Sequence, residues 1–156
     1  MTTIHPVPND KQIHQIFAML FGSGIRLNPS EPVPTDDALS MFAVFINDEG
    51  KQVTACVCDH HFTAYAGSAL TKIPVDSAED ASKTGKYTPM MLNNLHEIMN
   101  ICSRLFMNNS SPHLRLDKVF ANPDAAREVL NDCQGRVDFT VSIPGYGDGG
   151  LSFLCT

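Results

Sequence analysis

The segment 89–106 constrains the fold more than any other part of the chain, because its polar and apolar residues separate with the period of an α-helix. It reads PMMLNNLHEIMNICSRLF. At about 100° per residue, four of its polar residues fall within about 60° of one another, with His96 beside them. The opposite side is an apolar arc, which predicts a helix that lies on a core by one face only. The four polar residues are Asn93, Glu97, Asn100 and Arg104. The apolar arc contains Met91, Leu92, Leu95, Ile98, Met99, Ile101, Cys102, Leu105 and Phe106.

The start of this helix is marked by Thr88, a typical N-cap residue, and by Pro89, which suits a first turn. The polar side is unusual because it carries two amides and one carboxylate, where a surface helix usually carries Lys and Glu. Glu97 and Asn100 are three residues apart, so their side chains project side by side. One interpretation is an ordinary solvated face. The other is a site that orients a ligand.

The chemistry open to such a site is limited. A carboxamide cannot take up a proton at neutral pH, so Asn100 is suited to orienting a water molecule or an oxyanion. Reactions that need only a positioned water include hydrolysis of an activated phosphoryl group, where placement and electrostatics supply most of the catalysis. An acyl phosphate is a group of this kind.

The remaining segments predict an α+β domain. A short amphipathic helix begins near residue 9 and ends before Gly22, and a proline-rich connector or edge strand follows from Leu27. Alternating apolar residues predict a β-hairpin over 41–46 and 52–58, and Asp59 caps a second helix that reaches residue 72. Small residues in that helix allow close packing against another helix. The later segments are a helical turn plus loop over 76–86, a strand over 113–120, a turn from Pro123 into a short helix, and two strands over 136–143 and 151–155.

Composition and length set further expectations. With 156 residues, the chain is the size of one domain; we expect that domain over 9–156, after a flexible lead-in over 1–8. There are 17 Asp and Glu against 11 Lys and Arg, and no basic run, so nucleic acid is not an expected partner. No apolar run reaches the roughly 20 residues that span a bilayer. Five cysteines, an odd number, favour a reducing, cytoplasmic location.

Other candidate sites are weaker. Cys56 and Cys58 share a strand face, and no second pair completes a zinc site, so no metal is expected. His60 and His61 point about 100° apart and are interpreted as surface residues. The glycine-rich loop over 144–150 has no following helix, which favours a hairpin loop over a phosphate site. Tyr65 and Tyr146 are interpreted as packing groups.

The polar residues also carry a resemblance to a known family. The pattern Glu97-x-x-Asn100, followed after 22 residues by Pro123, is similar to the signature of the CheC, CheX and FliY family of response-regulator phosphatases. The likeness extends over the initial helix, the hairpin, Asp59 with AYAGSAL, the signature helix and the terminal strands around IPGYGDGG. A single copy of the signature resembles CheX. Asn93 departs from the pattern, since the family usually has Asp or Ser there.

The resemblance implies a fold, an activity and a partner. The implied fold is an antiparallel sheet packed on one face by a pair of long antiparallel helices. The implied activity is hydrolysis of the aspartyl phosphate on a CheY-like receiver domain, with Asn100 orienting the attacking water and Glu97 contacting the receiver's lysine. Asn93, His96 and Arg104 are further expected partner contacts. Mg²⁺ is expected on the receiver and no cofactor on this chain, which is expected to form a homodimer. The alternative is a binding module, or a structural homodimer, that has lost the catalysis.

Overall fold

The computed structural model describes residues 4–156 of the chain. It has the predicted α+β class, with five α-helices and one sheet of six strands. In chain order, the elements are α1 (Asp10–Phe21), β1 (Arg26–Pro29), β2 (Met41–Ile46), β3 (Gln52–Cys58), α2 (His60–Ala69), α3 (Val75–Thr84), α4 (Pro89–Cys102), β4 (Arg115–Phe120), α5 (Arg127–Asn131), β5 (Gly135–Ile143) and β6 (Gly147–Cys155). The 3₁₀ turn Ser103–Phe106 extends α4, and a second 3₁₀ turn, Pro123–Ala126, comes directly before α5.

All strand pairs in the sheet are antiparallel. The order is β1-β5-β6-β3-β2-β4, so β1 and β4 are the edges. The hairpin of β2 and β3 has the predicted bounds, and β1 is the edge strand predicted for the proline-rich segment. The central strands are buried on both faces, because side chains alternate between two separate apolar clusters.

Helices cover the two faces of the sheet unequally. The larger cluster joins alternate residues of β2 and β3, including Phe45 and Cys56, to the apolar sides of α1, α2 and α4. The smaller cluster joins the residues between them, including Phe42 and Val57, to Val129 of α5. The predicted helical layer is therefore confirmed on one face, and the short α5 covers part of the other.

Helix α3 is longer than the predicted turn plus loop. Its ten residues, VDSAEDASKT, are mostly polar, and the helix is held by Ala78, Ala81 and Ser82, which are buried. It runs antiparallel to α2, since Tyr65 donates a hydrogen bond to Glu79 and His61 contacts Ser82. Helix α2 in turn ends at Ala69, three residues before its predicted end.

Two other segments differ from the sequence prediction. Residues 5–8, predicted as part of a flexible lead-in, contact the rest of the chain: His5 is 2% exposed, and its Nδ1 lies 3.0 Å from the Phe106 carbonyl oxygen. Residues 1–3, the rest of the predicted lead-in, lie outside the described residues. The predicted glycine loop is a tight turn, because β6 already begins at Gly147.

The close approach of α2 explains why β6 has glycines where the two elements meet. A Cβ at Gly149 would lie 2.3 Å from the backbone N and Cα atoms of Phe62. The Asp59 N–H also donates a hydrogen bond to the Gly150 carbonyl, at 3.1 Å. The glycines let the first turn of α2 rest directly on the strand, which is a structural role.

Candidate functional site

Helix α4 begins as predicted. The Thr88 hydroxyl accepts a hydrogen bond from the Met91 N–H at 3.2 Å, and Pro89 occupies the first turn. Most of the predicted apolar arc is buried in the core. Two of its members lie at the rim instead: Leu92 is 37% exposed and Ile101 is half-buried.

The five candidate residues of this helix all face solvent. Within residues 4–156, none of their side chains makes a hydrogen bond or an ion pair. Some other amides of the chain are engaged: Asn9 caps α1, and Asn47 holds the β2–β3 turn. We call the five residues the polar row; its members are Asn93, His96, Glu97, Asn100 and Arg104.

The polar row lies on a firmly held support. Met99 of α4 packs against Cys58 of β3, with the two sulfur atoms 4.0 Å apart. The prediction of close helix packing is confirmed at Gly67, where an added Cβ would lie 2.7 Å from the Met91 carbonyl oxygen. This packing fixes the part of the backbone from which the polar row projects.

Asn94 is the polar residue of α4 that the sequence pattern did not single out. It is 5% exposed, and its Nδ2 donates hydrogen bonds of 2.8 Å to the Gly67 carbonyl oxygen and to the Thr71 hydroxyl. Its position on the helix could have indicated burial, since Asn94 falls on the border of the apolar arc, about 100° from Asn93.

Pro123 is not part of the polar row. It opens the 3₁₀ turn Pro123–Ala126, where the Asn122 side chain accepts a hydrogen bond from the Asp124 N–H. Ala126 of this turn belongs to the apolar cluster on the sheet face opposite α4. The turn role predicted for Pro123 is confirmed.

The paired histidines are half-buried, so their interpretation as surface residues is wrong. The centres of their rings lie 3.9 Å apart with the ring planes tilted by 46°, and His61 Nδ1 lies 2.5 Å from the Ser82 hydroxyl of α3. Tyr65 and Tyr146 are packing groups as predicted: Tyr65 is 8% exposed, and the Tyr146 hydroxyl donates to the Ile73 carbonyl.

Four of the five cysteines are buried in the core, and Cys133 is half-buried. All five are free, and Cys56 and Cys58 share the helical face of the sheet as predicted. Burial raises the pKa of the Cys102 and Cys155 thiols to about 12, so they remain protonated at neutral pH. Within residues 4–156 no group of three or more His, Cys, Asp or Glu side chains has an arrangement that holds a metal ion. No helix in the same range is long and apolar enough to cross a bilayer.

The polar row has a defined chemical capacity. It offers two amide groups that can donate and accept hydrogen bonds, one carboxylate, one imidazole and one guanidinium, all on exposed surface. Such groups can bind and orient the polar surface of a second macromolecule. A carboxamide neither gains nor loses a proton near neutral pH, so any reaction at Asn100 depends on groups that a partner brings.

Comparisons with known proteins give a consistent fold. No protein-family model and no curated protein matches the sequence. Among solved structures, the chain is similar to a chain of the FliG–FliM complex from H. pylori, with a TM-score of 0.60, 10% identity and coverage of 93% of this chain and 85% of that one. It is also similar to a chain of the CheX–CheY–BeF₃–Mg²⁺ complex from Borrelia burgdorferi, with a TM-score of 0.53, 12% identity and coverage of 90% of each chain. A chain of the FliM–SpeE complex from H. pylori gives a TM-score of 0.52 and 12% identity, over 93% of this chain and 78% of that one. The chain therefore has the α+β fold of these CheX and FliM complexes, as the sequence resemblance implied.

Proposed function

We propose that this chain is a CheX-like phosphatase, which hydrolyses the aspartyl phosphate of a phosphorylated response-regulator receiver domain. The observation that carries the proposal is the pair Glu97 and Asn100, exposed and unpaired on α4 within a CheX-like fold. The solved complex of similar fold contains CheY together with BeF₃ and Mg²⁺. A CheY-like receiver is thus the partner that the fold and the polar row support together.

Asn100 acts in the reaction as an orienting group. Its amide holds a water molecule in line with the phosphorus–oxygen bond to the receiver's aspartate. The water attacks phosphorus, that bond breaks, and the products are inorganic phosphate and the free aspartate carboxylate. The Mg²⁺ ion belongs to the receiver, where it stabilises charge on the phosphoryl oxygens.

Glu97 anchors the complex. Its carboxylate pairs with the lysine beside the phosphoryl group on the receiver. Glu97 and Asn100 can contact the receiver at the same place, because they are one helical turn apart. Asn93, His96 and Arg104 contact the receiver around this pair. Asn93 brings no charge where the family usually has Asp or Ser, so its contact is a hydrogen bond through a neutral amide.

The test follows decay of a phosphorylated receiver with and without this protein. Receivers encoded near this gene are the first substrates to use. A positioned hydrogen-bonding group contributes about 10²–10³-fold to a rate, so Asn100→Ala is expected to lower kcat by about that factor. Glu97→Ala is expected to raise KM by about tenfold, which corresponds to about 1.4 kcal/mol of lost binding. If the wild-type protein leaves the decay of every such receiver unchanged, the phosphatase proposal is wrong.

A docking module without catalysis is the second candidate. Asn93 favours it, as does the similarity to a chain of the FliG–FliM complex. This candidate predicts binding that depends on receiver phosphorylation, with no release of phosphate. A pull-down with a BeF₃-treated receiver, run beside the decay assay, separates the two candidates.

The proposal includes a cytoplasmic homodimer, as the resemblance to CheX implies. Light scattering is expected to give twice the 17.1 kDa mass of the chain. In a purely structural dimer, the polar row lies inside the dimer contact, and Asn100→Arg then dissociates the dimer. In the phosphatase dimer the row stays free, and Asn100→Arg leaves the mass unchanged.

A further inference from the structure

Asn94 links the helix that carries the polar row to the end of α2. The last four carbonyl groups of an α-helix lack partners inside the helix and need them from elsewhere. Three of those of α2 accept backbone N–H groups that follow the helix: Ala66 from Leu70, Ser68 from Ile73 and Ala69 from Lys72. The fourth, at Gly67, accepts the side chain of Asn94 from α4 at 2.8 Å.

The second hydrogen of the same amide is also engaged. Asn94 Nδ2 donates to the Thr71 hydroxyl, again at 2.8 Å, so the amide bridges the last turn of α2 and the residue beyond it. Asn94 is buried, and a buried polar group favours the one arrangement in which its bonds are made. The apolar contacts of α4, by contrast, are not directional.

Close packing restricts α4 at the same point. The Met91 backbone stands where a Cβ at Gly67 would be, so the two helices touch without an intervening side chain. This contact sets the separation of the two helices at one point and does not by itself set their relative rotation. The two hydrogen bonds of Asn94 restrict that rotation.

We infer that Asn94 is a positioning residue, which fixes the rotation of α4 and so the direction of Glu97 and Asn100 toward the partner. The role in catalysis rests on the function proposed above; the role in orienting α4 does not. Asn94 itself does not reach the partner, because it faces α2.

The geometry gives the size of the effect. Side chains of a helix extend about 5–6 Å from its axis. A rotation of 10° therefore displaces the Asn100 amide by about 1 Å, and a displacement of that size can lower a rate by about 10²-fold.

The first measurement needs no partner. Residual dipolar couplings of the backbone amides report the rotation of α4 about its axis relative to the sheet. Asn94→Leu, which keeps a similar shape without hydrogen bonds, is expected to rotate α4 by about 10° or more. Thr71→Val removes one bond and is expected to give a smaller rotation; it decides the question if Asn94→Leu does not fold. Val129→Ala, in the cluster on the opposite sheet face, is the control for a general loss of stability.

The second measurement is receiver dephosphorylation. Asn94→Leu is expected to lower kcat by about 10–100-fold at saturating receiver, and Val129→Ala to leave kcat unchanged. In an Asn100→Ala background, Asn94→Leu is expected to have no further effect on kcat, because it acts through Asn100.

The outcomes of the two measurements bear on different parts of the inference. An unrotated α4 in both Asn94→Leu and Thr71→Val overturns the positioning role, whatever the hydrolysis assay gives. A rotated helix with no hydrolysis by the wild-type protein supports the positioning of α4 and overturns the phosphatase function. Equal loss of kcat in the wild-type and Asn100→Ala backgrounds overturns the link between Asn94 and Asn100.

Discussion

Replacing Gly67 with alanine tests the helix contact beneath the polar row. The added Cβ would lie 2.7 Å from the Met91 carbonyl oxygen and 3.3 Å from its carbonyl carbon. Both are backbone atoms, so no side chain can rotate away. Restoring an ordinary separation requires α4 to move by about 0.5 Å, which also stretches the bond from Asn94 to Gly67.

Two opposing effects decide whether Gly67→Ala raises or lowers the free energy of unfolding. Alanine stabilises a helix interior by about 0.5–1 kcal/mol relative to glycine. Overpacking a tight contact costs about 1–3 kcal/mol, and weakening a buried hydrogen bond costs about 0.5–1.5 kcal/mol more. The two costs together exceed the gain, so Gly67→Ala is expected to lower the free energy of unfolding by about 2 kcal/mol. For a chain of this size, that loss lowers Tm by about 4–8 °C.

Thermal unfolding followed by circular dichroism measures the change. Gly24→Ala is the matched control, because its Cβ would meet only the Pro144 ring, at 3.3 Å. A Tm for Gly67→Ala at or above that of the wild type would refute the contact between α2 and α4.

Three further changes test other parts of the fold. Gly149→Ala places a Cβ 2.3 Å from the backbone of Phe62, and we expect a loss of about 1–3 kcal/mol in urea denaturation; an unchanged midpoint contradicts the contact of α2 with β6. In thiol titration at pH 8, we expect rapid reaction at the half-buried Cys133 only, since burial raises the pKa of thiols such as Cys102; fast reaction of further thiols in the folded protein contradicts this. Burial lowers the pKa of His5 from 6.5, so between the lowered pKa and 6.5 the unfolded chain binds more protons than the folded one. The free energy of unfolding is therefore expected to fall as the pH drops from 6.5 through that lowered pKa. His5→Gln is expected to flatten this slope in denaturation at a series of pH values, and an equal slope in both proteins contradicts the effect.

Local chemistry made part of the fold predictable from the sequence. The hairpin was predictable because β-branched, aromatic and small apolar residues form two short runs on either side of an Asn-Asp-Glu-Gly turn. The start of α4 was predictable because Thr88 and Pro89 satisfy the needs of a first turn. The exposure of the polar row followed from helical period alone.

Other features depend on contacts between distant segments. Helix α3 is mostly polar, and its packing depends on small residues that carry little hydrophobic signal. His5 is buried against Phe106, 101 residues away, which no local pattern indicates. Asn94 reads as a second polar residue beside Asn93, and its inward role depends on the open carbonyl of Gly67 in another helix.

The role of Asn100 is decided by phosphate release from a phosphorylated receiver at saturating concentration, measured with the wild-type protein and with Asn100→Ala. We predict that the wild-type protein accelerates release and that Asn100→Ala loses about 10²-fold of that rate while still binding a BeF₃-treated receiver. Equal rates for the two proteins would contradict the role of Asn100.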